Sequence, residues 1–98
     1  MADSNTPTTL ISEKTVTTAG TAVALHAAQR VKSVTIVAKT SNSGQVYVGG
    51  SDVASTTNDG LAPGDSLSIP AENWLDLADL YVDSDMSGEG VDMWAVKA

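Results

Sequence analysis

The chain has 98 residues, with 12 Asp and Glu against 5 Lys and Arg, one His and no Cys. That length holds one domain, and the missing Cys excludes a disulfide framework and Cys-ligated zinc. The net charge of −7 disfavours nucleic acid as a partner, and no apolar run approaches the roughly 20 residues of a membrane helix.

The start, Met1 to Pro7, is polar and has no apolar signal-peptide core, so synthesis in the cytoplasm is expected. Residues 1–13 read as a flexible N-terminal arm and residues 14–98 as a single domain. Lys14 to Thr18 has strand-favouring Thr and Val, and Ala19-Gly20 breaks the run. Thr21 to His26 alternates again, with Val23 and Leu25 on one face. Arg30 to Lys39 is the clearest strand; strict alternation puts Lys32, Val34, Ile36 and Ala38 on one side, with Val31, Ser33, Thr35 and Val37 on the other. Ser41-Asn42-Ser43-Gly44 predicts a turn into a returning strand, Gln45 to Val48, which Gly49-Gly50 ends. A short segment, Asp52 to Ser55, follows, then the turn signals Asn58-Asp59-Gly60 and Ala62-Pro63-Gly64-Asp65, with Pro63-Gly64 suited to a type II turn. Ser66 to Ile69 points Leu67 and Ile69 inward, and Ala78 to Asp83 is a strand around Leu80 and Val82. After Gly88-Glu89-Gly90, Val91 to Lys97 sets Val91, Met93 and Ala95 opposite Trp94 and Val96, with Trp94 expected in the core.

About seven short strands at intervals near 8–12 residues predict an all-β fold, a small antiparallel β-sandwich. The weak helical competitors, Ala22 to Arg30 and Glu72 to Leu80, have room for two or three turns at most. The core is thin: Leu, Ile and Val number 21, Ala 13, and Phe is absent. A chain of this size buries little surface, so a partner or self-association is an expected source of stability. Charge is uneven as well. Residues 1–50 carry two acids against four cations, and residues 51–98 carry ten acids against Lys97. The second half presents either a solvated acidic surface or a face for a neighbour.

Few residues suggest chemistry. His26, in Ala24-Leu25-His26-Ala27-Ala28, has no neighbouring nucleophile motif, and no Gly-rich phosphate loop precedes a helix. Carboxylate pairs need an aromatic-lined cleft, and only Trp74, Trp94, Tyr47 and Tyr81 are available. Asp83-Ser84-Asp85-Met86-Ser87-Gly88 matches the opening of an EF-hand loop, but position 12 is Trp94 where a bidentate Glu is required. The expectation is a non-enzyme with no cofactor. Trp74 is either core or an anchor at an interface, where Trp is enriched.

Several blocks resemble small virion proteins of tailed bacteriophages: Val16 to Val23 with Arg30 to Ile36, Gly44 to Val53, Leu61 to Ile69, and Asp79 to Asp83 with Gly88 to Val91. The resemblance covers about residues 15–97 and lies in pattern, turn glycines and strand order. It implies a compact β-sandwich, with a jelly roll as candidate topology, acting as a virion structural protein. A head decoration (cement) protein is the leading reading: a homotrimer on the capsid surface that clamps neighbouring units of the major capsid protein. The alternative is a phage tail or fibre component or a carbohydrate-binding module, recognised by exposed Trp74, Tyr47 or Tyr81. The candidate interface residues are Asn5, Thr6, Pro7, Leu10 and Ile11 near the N-terminus, with Trp74 and Leu75.

Overall fold

Alternating apolar and polar residues along Thr9–Val16 (β1), Arg30–Ala38 (β3), Ser66–Asp76 (β5) and Glu89–Lys97 (β7) give each strand one face to bury. A computed structural model of the chain, which describes residues 9–56 and 58–98, joins them as one antiparallel sheet in the order β1-β7-β3-β5. Val23–Ala24 (β2), Val46–Gly49 (β4) and Tyr81–Ser84 (β6) form a second sheet in the order β2-β6-β4. The protein is an all-β sandwich, with no α-helix among the described residues.

The chain changes sheet at every step from β1 to β4. It then makes an antiparallel bridge from Leu61 to Val46 beside β4 before crossing to β5. Two four-stranded sheets with this order of crossings make a jelly roll. Here the strand between β4 and β5 is reduced to the Leu61 bridge. The preceding loop covers the second sheet from outside, with Val53 buried against Gly49, where the sequence predicted a short segment from Asp52 to Ser55.

The core lies between the sheets. Val34, Ile36, Met93, Val91 and Ala95 come from β3 and β7, Val46 and Val82 from β4 and β6. Leu25 and Leu77 are 1% and 0% exposed and lie just outside the regular strands. The expected alternation of Val91, Met93 and Ala95 is thus realised, and Leu67 and Ile69 face inward on the same row system.

Three expectations shift. Strand pairing in Thr21 to His26 is confined to Val23–Ala24, and the Leu25 N–H bonds the Leu80 carbonyl in the same register, one residue beyond the strand. In β3 a bulge between Val31 and Ser33 displaces Lys32, turning Val31 inward with Val34 and leaving Lys32 exposed. Residues 9–13, expected in the arm, are strand. Thr9 to Glu13 pair with β7, because Leu10 and Ser12 have Ala95 and Met93 opposite them on the inner face; residues 1–8 lie outside the described residues.

The Glu72 to Leu80 segment is the end of β5 followed by a 3-10 turn, Leu77–Asp79. Asp76 caps that turn, accepting the N–H groups of Ala78 and Gln29 at 3.0 Å each. These two bonds hold the Asp76 carboxyl below its ordinary range. The Ala62 to Asp65 turn forms as expected, with Asp65 N–H bonded to the Ala62 carbonyl and Gly64 at φ +88°, the left-handed position that type II requires.

Candidate functional site

The register of the four-stranded sheet dictates what its outward face carries. Ile11, Trp94, Thr35 and Ser68 form one row across all four strands. Val96, Ser33 and Pro70 lie in the row on one side, and Glu13, Asp92, Val37 and Ser66 in the row on the other. Ile11 is 67% exposed, Trp94 43% and Val96 42%, so three of the five exposed large apolar side chains among the described residues occupy one corner of one face. Scattered exposed apolar residues are ordinary, but three on adjoining strands form a patch.

The patch has a charged border. Lys39 Nζ lies 2.6 Å from Glu13 Oε1 and 2.7 Å from Asp92 Oδ1, tying β1 to β7 beside the apolar row. The hydrogen bonds to Asp92 and Glu13 raise the Lys39 ammonium above its ordinary range. An open groove of about 410 Å³, lined by Ile11, Ser12, Glu13 and Asp92, runs along this border. On the far side Thr35 and Ser68 exchange a hydroxyl hydrogen bond at 3.1 Å.

The residues assigned to an interface from sequence divide. Ile11 is in the patch, whereas Leu10 is half-buried on the inner face, and Asn5, Thr6 and Pro7 lie outside the described residues. Trp74 is 47% exposed on β5, with the Arg30 guanidinium 4.1 Å from its ring centroid, and Leu75 is half-buried against the core. Trp74 and Ile11 therefore sit on opposite edge strands and do not form one site. Trp94, expected in the core, faces solvent because Val91, Met93 and Ala95 take the inner positions of β7. The alternation contained that signal; size alone suggested the core.

The acidic residues from the end of β6 to the start of β7 have a different role. Asp83, 2% exposed, accepts the Gly20 and Ser84 N–H groups at 2.9 and 2.8 Å. Asp85 accepts the Gln45 N–H at 3.1 Å and the Tyr47 hydroxyl at 2.7 Å. Glu89 takes the Ser43 hydroxyl at 2.8 Å and the Gly44 N–H at 3.0 Å, together with the Ser43 N–H. Bonds to the Ser43 and Gly44 backbone hold the Glu89 carboxyl below its usual range. These carboxylates close turns by satisfying backbone donors. Among the described residues no three metal-binding side chains converge. His26 is half-buried with its Nδ1 2.8 Å from the Ala27 carbonyl.

Comparisons with protein-family models, curated proteins and solved structures find no match to this chain.

Proposed function

We propose that this chain is a virion structural protein that decorates and stabilises a phage capsid as a homo-oligomer, docking through the outward face of its four-stranded sheet. The observation that carries the reading is the solvent-facing patch of Ile11, Trp94 and Val96 on a sandwich whose core is already closed without them. Apolar side chains in an exposed patch are stabilised when a partner covers them. The strand order supports the same reading at the level of fold, since jelly rolls are used by viral capsid proteins and lectins. The trimer implied by the resemblance belongs to this proposal as its stoichiometry.

The test is saturable binding to expanded heads of the phage that carries the gene, with light scattering to give the oligomer mass. A Trp94→Ser variant is expected to fold and to lose capsid binding. A protein that stays monomeric and ignores capsids would overturn the reading. The carbohydrate-binding alternative has one support in Trp74, which is exposed; Tyr47 is 6% exposed beneath the loop, and Tyr81 is half-buried. Quenching of tryptophan fluorescence by a glycan, lost in Trp74→Ala, is the result that favours it.

A further inference from the structure

We propose that the outer edge of β1 is a twofold self-association site, where β1 of a second copy adds in antiparallel fashion to make one continuous eight-stranded sheet. This rests on the homo-oligomer part of the proposed function and names a twofold contact in place of the trimer that the resemblance implies. The first argument is the state of the edge. β1 keeps an unbroken register with β7 over eight residues, from Thr9 with Val96 to Val16 with Glu89. It contains no Pro, Gly or bulge, and among the described residues no other strand pairs with it. Such an edge presents backbone donors and acceptors to an incoming strand.

The second argument is its complementarity to itself. Strands in one sheet must keep matching faces, so only residues of the same face can lie opposite each other. Placing Ser12 opposite the partner's Ser12 pairs Thr9 with the partner's Thr15, Leu10 with the partner's Lys14, and Ile11 with the partner's Glu13. This joins seven residues of each strand and opposes no like charges. Moving one step along sets Glu13 against the partner's Glu13, and the step after sets Lys14 against the partner's Lys14; both are repulsive. The register centred on Ile11 avoids repulsion but joins only five residues. In the Ser12-centred register Ile11 lies diagonal to the partner's Ile11, within reach across a sheet. The two Ile11–Trp94 patches then adjoin on one side, and the side chain with 67% exposure gains neighbours across the contact.

The third argument fixes the symmetry. At the other border of the sheet, Pro70 removes a backbone donor, and Ala71 to Trp74 bulge away between the Ser33–Pro70 and Val31–Leu75 pairs. A head-to-tail contact of β1 with a neighbour's β5 has no regular edge to use. The contact is isologous and closes at two copies.

The full chain is tested by sedimentation equilibrium, with an expected mass of about 20 kDa, twice the 10.0 kDa of one chain. Since the protein has no Cys, Ser12→Cys supplies the only thiol, and opposite Cα atoms roughly 4.5–5.5 Å apart are within disulfide range. Mild oxidation is expected to cross-link Ser12→Cys and to leave Thr15→Cys, about 20 Å from its own mate, uncoupled. Ile11→Glu alters an exposed position and sets like charges opposite the partner's Glu13, so its urea midpoint is expected to hold while the dimer weakens roughly tenfold or more. A monomer at 100 µM, a trimer, or equal cross-linking of the two Cys variants would overturn the proposal. Capsid binding measured on the same samples separates the two readings: a cross-linkable dimer that ignores capsids sinks only the capsid role, and a trimer that decorates them sinks only the β1 contact.

Discussion

The two borders of the four-stranded sheet are built from strands of similar length and the same pairing type, yet they present different edges. β1 runs straight beside β7 with every residue in register, and its exposed positions include Ile11. β5 follows β3 from Ser66 to Pro70, departs over four residues, and rejoins at Leu75. The departure matches the Lys32 bulge on β3, so one irregularity is shared by two neighbouring strands and none reaches β1. A sheet can thus be sealed on one border by a proline and a bulge while the other stays competent to pair.

The harshest way to break the comparison is to remove β1 from the sheet. A Cβ added at Gly90 would lie 2.1 Å from the Lys14 carbonyl oxygen, so Gly90→Val must push β1 off β7. Overpacking of this kind is expected to cost about 3 kcal/mol, read as a fall in the urea midpoint, and hydrogen exchange should show β1 amides losing protection first. At the β5 border, Leu75→Ala removes a half-buried side chain packed against the core, with an expected loss of about 2 kcal/mol. Equal loss of β1 protection in this variant would show that the two borders are not independent.

Acid titration compares the same two regions more gently. Glu89 lies where β7 meets the end of β1, and Asp76 at the end of β5; both carboxyls titrate below their ordinary values because backbone N–H groups bond the ionised forms. A depressed pKa means the contribution is present above the unfolded value, 4.5 for Glu89 and 3.8 for Asp76, and is lost as pH falls through the folded value. Stability should therefore decline below pH 4.5. Glu89→Gln and Asp76→Asn are each expected to flatten part of that decline, Glu89→Gln from the higher pH. An unchanged slope in both variants would refute the assignment. The smallest effect belongs to Trp74→Ala, where an exposed cation–π contact with Arg30 predicts about 0.5 kcal/mol and unchanged protection of β1.

Much of the fold is legible in the sequence where local pattern and burial agree. Val91, Met93 and Ala95 against Trp94 and Val96, and the Pro63-Gly64 turn, need only neighbours in the chain to be read. The strand at Thr9 to Glu13 is harder: its alternation is present, but polar flanks hide it, and pairing with β7 across the whole domain makes it a strand. The bulge at Lys32 is invisible to alternation because it depends on how β5 and β7 meet β3. Of the exposed patch, the sequence reading names Ile11 but not Trp94 or Val96: alternation sets Trp94 and Val96 on the Asp92 face, opposite Val91, Met93 and Ala95, and the size of Trp94 outweighs that signal. The roles of Asp83 and Asp85 escape for a similar reason, since Gly20, Gln45 and Tyr47 reach them through tertiary structure.

The placement of β7 between β1 and β3 also sets the order in which the molecule is completed. β1 is synthesised early, and its described partner comes about 80 residues later, a wait of roughly 4–16 s at about 5–20 residues per second on the ribosome. Throughout that interval β1 has no β7 to pair with, and β3 lacks one of its two neighbours. Insertion of β7 gives β1 and β3 their missing neighbour in one event, so the nascent protein passes from two separated strand groups to a closed sheet late. A ribosome stalled before Glu89 would hold β1 with both backbone edges free, and such chains are expected to be caught by chaperones or to aggregate.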